Sequence, residues 1–184
     1  METLWRDALW SQFGAAIGML EDGVRACPDA LWHERLWVVP ADDAVSPDMA
    51  AAWNVTFHTL FWLDFYLSGA VEEGFAPPPP FTLNEFDPAG AMPDRTYTKD
   101  ELLTYLAYTR DKCQASLTTL TDDQARRVMD LHWAHGHPVT FYELTLYNMR
   151  HVQEHGAQLH LLLGQHGIHI RSWVARAQSG DGNG

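Results

Sequence analysis

Residues 50–67 constrain the fold more than any other part of the chain. The run Ala50-Ala51-Ala52-Trp53-Asn54-Val55-Thr56-Phe57-His58-Thr59-Leu60-Phe61-Trp62-Leu63-Asp64-Phe65-Tyr66-Leu67 is apolar nearly all the way round a helix. A helix of that kind must be central, with partners on every side. Ser46-Pro47-Asp48 supplies an N-cap, a proline at the first helical position and an acid in the first turn, and Ser68-Gly69 supplies the stop. The expected second helix therefore begins at Ser46.

Its partners follow from periodicity and capping. Residues 4–26 place Leu4, Trp5, Ala8, Leu9, Ala15, Ala16, Met19, Leu20 and Val24 at spacings of three and four, an amphipathic helix ended by Cys27-Pro28-Asp29. Residues 30–45 have no clean period and read as a turn and a covering loop. Thr98 with Glu101 forms a capping box for a third helix reaching about Leu120, and Thr121 with Gln124 repeats the pattern for a short extension. Thr140 with Glu143, just after Pro138, starts a long helix expected to stop at Gly164. A short helix is expected around Ser172 to Ala177, and no strand pattern appears.

The expected architecture is all-α, a four-helix bundle in one domain over residues 1–178, with 179–184 as a disordered tail. Between about Ala70 and Tyr97 periodicity is lost, and Pro77 to Pro80, Pro88 and Pro93 accumulate. So long a connection suits a lid, a wrapping loop or a crossover between two helices that point the same way.

Charge and composition exclude several function classes. A net charge of −12 repels a phosphate backbone, so no nucleic-acid partner is expected. No stretch is apolar for long enough to span a bilayer, and Met1-Glu2-Thr3-Leu4-Trp5-Arg6-Asp7 shows no signal-peptide pattern. A cytoplasmic protein without a membrane partner is expected, with Cys27 and Cys113 as reduced packing residues.

The chemistry lies with histidine. His151 and His155 sit four apart in the last helix, on one face and roughly 6 Å apart along its axis. His58 sits among Phe57, Phe61, Trp62 and Phe65 in the central helix, where an unpartnered imidazole is costly. Three inward imidazoles would repel when protonated and desolvate poorly when neutral, and a shared divalent cation removes both problems. Spacing alone leaves this reading and that of packing histidines both open. Three His ligands would leave an open coordination position, as in catalytic sites.

Other residues are weaker candidates. Glu154, three after His151, could flank a water at such a site, although a solvated Glu, or a partner for Arg150 or Gln158, is the plainer reading. Asn54 and Tyr147 each lie four before a candidate ligand and could touch a ligand or substrate, or be satisfied core groups. His132, His135 and His137 form a second cluster in a loop about three turns, roughly 16 Å, before His151, which suits a pocket rim or plain loop residues better than ligation. His151-Val152-Gln153-Glu154-His155 also fits the inverted zinc-peptidase motif, but that family draws a further ligand from a much larger protein.

One His on the second helix, then His151-x-x-x-His155 followed by Gln158-Leu159 on the last, resembles the DinB/YfiT-like superfamily. Cys27-Pro28-Asp29-Ala30-Leu31-Trp32 at the end of the first helix supports the likeness, which spans most of the chain. The resemblance implies a four-helix bundle with up-down-down-up connectivity, the Pro-rich segment being the crossover between helices two and three. It also implies one divalent metal, commonly nickel or zinc, held by His58, His151 and His155, and a homodimer. Two activities come with it: a hydrolase-like one, and transfer or isomerisation using a low-molecular-weight thiol such as mycothiol or bacillithiol. The reading is thus a metal-dependent enzyme acting on an unidentified small molecule. The alternative is a non-catalytic metal-binding or stress-response bundle acting through association.

Overall fold

The central apolar segment forms helix α2, Ala52–Leu67, in which Phe57, Leu60, Phe61 and Leu63 are wholly buried. It is surrounded by α1 (Leu4–Ala26), α3 (Lys99–Thr118) and α5 (Phe141–Gln165), with α4 (Asp122–Arg126) as a single extra turn. The computed structural model describes residues 4–40, 45–129, 131, 134–170 and 173–177. The described residues are mostly helical, with five α-helices and minimal sheet among them. Helices α1 and α2 each pack against both α3 and α5. Their shared core is built from Phe13, Ile17 and Leu20 of α1, Phe57 and Leu60 of α2, Leu102 and Leu106 of α3, and Val152 and Leu159 of α5.

The caps explain most of the boundaries. Thr98 and Glu101 form the expected capping box at α3, as do Thr121 and Gln124 at α4. The Thr140 hydroxyl accepts from the Glu143 amide at α5. Helix α2 ends at Ser68 with Gly69 at φ +94°, Gly69 N–H donating to Tyr66 O and Ala70 N–H to Phe65 O. That is the glycine-based closure that satisfies the last carbonyls of a helix.

Four expectations are corrected. Ser46 does not start α2. It caps a separate 3₁₀ turn, Pro47–Ala50, because Ala51 is held extended by a bridge to Arg35, with Leu36 N–H on Ala50 O and Ala52 N–H on Glu34 O. The last helix passes through Gly164 and stops at Gly167, φ +74°, where Gly167 N–H donates to Gly164 O and Ile168 N–H to Leu163 O. A small antiparallel ladder does exist, β1 (Val128–Met129) against β2 (Val139–Thr140), closing the histidine-rich loop before α5. Residues 173–177 are not helical. They lie along α1, with Ala177 N–H on Ser11 O and Gln12 Nε2 donating to Ala175 O. The expected disordered tail, 179–184, and His132 fall outside the described residues.

The segment after α2 holds no α-helix, only a 3₁₀ turn at Asn84–Phe86. It is pinned by aromatic contacts. Phe86 packs its ring 5.0 Å from Phe61 and 4.9 Å from Phe65, and Phe75 packs on the same two rings. Packing Phe86 against α2 delivers its neighbour Glu85 to the face of that helix that carries His58.

Candidate metal centre

His58, His151 and His155 converge. The Nε2 atoms of His58 and His151 are 3.1 Å apart, and those of His151 and His155 are also 3.1 Å apart. The backbone arranges this in two ways. One helical turn separates His151 from His155 on α5, so their rings stand at 89° with centroids 4.6 Å apart. Across the interface, Asn148 Nδ2 donates to Leu63 O and ties α5 to α2 at a fixed level, which brings His58 opposite the pair. On the far side, Gly156 faces the backbone of α1 at Leu20.

The outer ring nitrogens reveal where the protons are. His58 Nδ1 lies 2.6 Å from Glu85 Oε2, a carboxylate that also accepts from Trp62 Nε1 at 2.8 Å. His155 Nδ1 lies 2.8 Å from Gln158 Oε1. Both partners are acceptors, so both imidazoles carry hydrogen on Nδ1 and turn a lone pair inward at Nε2. His151 has no such partner, and its buried Nδ1 is unsatisfied. If its proton sits on Nε2, it serves only one of two inward lone pairs. If the proton sits on Nδ1, three lone pairs face one another. Neither tautomer satisfies the cluster from within.

A cation at the point of convergence does. Among the described residues these three are the cluster whose nitrogen atoms, all within 4.8 Å of one another, could hold a metal ion. Two nitrogens on one tetrahedral ion with bonds of about 2.0–2.1 Å stand roughly 3.3 Å apart, close to the 3.1 Å found here. The partners at His58 and His155 are the acceptors that metal-ligating imidazoles regularly use to fix tautomer and orientation. The residues present fit a divalent ion.

Electrostatics agree with neutral imidazoles. Burial, then the neighbouring His58 and His155, push His151 down to about 2. Burial also lowers His155, against the raising effect of its bond to Gln158. In metal-free protein the unfolded chain then binds protons, from an ordinary value of 6.5 downward, that the native state refuses. Stability must fall as pH falls through that window, at up to about 1.4 kcal/mol per pH unit for each such group. Urea midpoints of metal-free protein should drop between pH 7 and pH 5, and drop less in His151→Gln. Equal slopes for the two proteins would contradict the assignment.

The three imidazoles line a cavity of about 570 Å³, walled by Trp62, Tyr66 and Tyr147 and rimmed by the segment from Asn84 to Pro93. Asn54 and Tyr147, the two neighbours singled out from spacing, both line it. Asn54 is 3% exposed and donates from Nδ2 to Met49 O, leaving Oδ1 without a partner. Glu154 lines the cavity from an exposed position. Gln158 bonds His155 rather than Glu154. His137 lies elsewhere, lining a separate hollow with Val128 and Met129. His160 is a packing residue that donates to Met19 O at 2.7 Å.

Glu85 is the residue that sequence reasoning missed. It comes from the aperiodic segment, 27 positions from His58, and no spacing rule connects them. Glu85→Gln keeps an acceptor in place but removes the charge. It should weaken metal binding about 10–100-fold, the usual cost of losing an outer partner of a metal-ligating histidine. Competition with a chromophoric chelator measures this, and unchanged affinity would show that Glu85 does not support His58.

The model of the DinB superfamily matches residues 12–159, from within α1 to the histidine helix, and takes in all three imidazoles. No curated protein and no solved structure matches the chain. With a family match over most of its length, this chain belongs to the DinB superfamily.

Proposed function

We propose that this protein is a metal-dependent enzyme acting on a small molecule, with one divalent ion, nickel or zinc, held by His58, His151 and His155. One observation carries the reading: three imidazole nitrogens, two with their protons fixed on the far side of the ring, meet in the wall of a cavity large enough for a substrate. Imidazole suits both metals. An ion bound there would act as a Lewis acid toward a carbonyl, a water or a thiol.

The chain's own groups divide the remaining tasks. Glu85 holds the His58 tautomer, and Gln158 that of His155. Trp62, Tyr66 and Tyr147 give the substrate an aromatic wall. Glu154, which lines the same cavity, would be the carboxylate that moves a proton. Neither cysteine is suited to be the nucleophile. Both are buried, which pushes Cys27 up to about 11 and raises Cys113 further. In this reading the nucleophile is external, water in a hydrolase or a low-molecular-weight thiol in a transferase.

Up-down-down-up connectivity belongs to the same proposal, with residues 68–98 as the crossover. Its support is the pairing of Trp5 with Tyr142 and Met19 with Gln153 between α1 and α5, against Leu63 with Asn148 and His58 with His151 between α2 and α5. A homodimer in the cytoplasm completes the reading. No helix of the described residues is long and apolar enough to cross a membrane.

The test is a screen of zinc- and nickel-loaded protein against ester and amide hydrolysis and thiol-transfer substrates, with metal-free protein and His58→Ala alongside. Turnover that needs both the metal and His58 supports an enzyme. Metal binding without turnover across the screen would favour the non-catalytic bundle.

A further inference from the structure

We infer that the cavity selects a cationic small molecule, one carrying a primary-ammonium group, over a carboxylate- or phosphate-bearing one. The inference rests on the cavity being the substrate site, as proposed above, but not on which metal occupies it.

Three features of the wall agree. The first is charge. Glu85, Asp87 and Glu154 line the cavity, and no Lys or Arg lines it among the described residues. A divalent ion on the imidazoles leaves these three carboxylates in excess by one charge, and the chain's net charge of −12 adds a field of the same sign. An anionic substrate would meet the metal only after passing this rim.

The second is hydrogen-bond polarity. Outside the imidazoles, the wall's N–H-bearing side chains donate to neighbours in the wall: Trp62 Nε1 to Glu85, Asn54 Nδ2 to Met49 O, and Asn84 Nδ2 to Met92 O. Among the acceptors, Glu85 Oε2 and Asn84 Oδ1 are engaged by neighbours, but one is not. Asn54 Oδ1 is buried without a partner, so it favours a ligand that donates. A primary ammonium has three donors and no acceptor.

The third is the aromatic wall. Trp62 and Tyr66 lie with ring centroids 5.5 Å apart, and Tyr66 meets Tyr147 at 5.7 Å. Aromatic faces attract cations, tryptophan most strongly. Carboxylates, an unpaired carbonyl and aromatic faces together describe a site for an amine.

The probes are benzylamine, benzyl alcohol and benzoate, titrated calorimetrically at pH 7 into the full chain, zinc-loaded and metal-free. They share one ring and differ in charge, and the metal-free arm removes direct ligation of zinc by the amine. Benzylamine should bind at least about tenfold more tightly than benzyl alcohol in both forms, a factor within reach of a desolvated cation–aromatic contact. In Asp87→Asn/Glu154→Gln, checked for unchanged helicity by circular dichroism, the advantage should shrink to roughly threefold or less. Benzoate matching benzylamine in metal-free protein, no binding by any probe, or an advantage unchanged in the double variant would each overturn the inference. Failure of the metal reading would appear separately, as absence of zinc in the loaded protein, and leaves the metal-free ranking to decide the cation preference.

Discussion

Alanine at position 151 should abolish stoichiometric metal binding while leaving the bundle folded. His151 is the central imidazole, 3.1 Å from the inner nitrogen of each of the other two. Its removal takes away a ligand and leaves two imidazoles without a third nitrogen to close the site. Losing an outer partner costs about 10–100-fold in affinity, so losing a ligand should cost more than that, and chelator competition would read it directly. The fold should tolerate the change. In metal-free protein the Nδ1 atom of His151 is buried and unsatisfied, and deleting it relieves a penalty of about 1–3 kcal/mol that offsets the lost packing. Urea midpoints of metal-free wild type and variant should therefore be similar. A variant that binds metal as tightly as the wild type would remove His151 from the site.

The largest effect on stability is expected outside the imidazole cluster, at Lys112. Asp64 of α2 is 1% exposed, and its carboxylate is held by Lys112 Nζ and by the Tyr105 hydroxyl, the latter donating at 3.0 Å. Lys112 also donates to Asp64 O at 3.2 Å and to Ser68 Oγ at 2.6 Å, so one side chain joins α3 to the end of α2. Lys112→Met would leave a buried carboxylate with a single hydroxyl partner. Breaking a buried pair from one side costs about 3–5 kcal/mol. The ammonium here is partly exposed, which puts the expectation near the lower figure, about 3 kcal/mol in urea denaturation. Replacing all three groups together, Asp64→Leu, Lys112→Met and Tyr105→Phe, should recover most of that loss, because no charge or orphaned hydroxyl remains. A single-variant cost below about 1 kcal/mol would mean that water reaches the carboxylate.

These two sites differ in how far the sequence foretold them. The imidazoles were legible because helical periodicity is a local rule. His151 and His155 share a face by spacing alone, and His58 stands out as a polar residue in an apolar helix. The caps at Thr98, Thr121 and Thr140 were legible for the same reason, since each is a contact over three residues. Ser46 shows where the rule stops. Its cap forms, but the bridge between Arg35 and Ala51 pulls the following residue out of helical geometry, and that bridge spans distant residues. Gly164 was a good stop on paper, but the left-handed φ that ends the helix falls at Gly167. Glu85 and the Asp64–Lys112 pair had no local signature at all. Glu85 reaches His58 because Phe86 fills a gap among Phe61, Trp62 and Phe65, a packing fact that no periodic pattern encodes.

The account stands or falls on whether the three imidazoles hold a metal. The direct measurement is elemental analysis of the full chain, purified without a His tag, reconstituted with zinc or nickel and freed of excess. The expected result is one divalent ion per chain in the wild type, and none retained in His58→Ala, His151→Ala or His155→Ala. A wild type that retains no metal after reconstitution, or variants that retain as much as it does, would contradict the account and leave the histidines as packing residues.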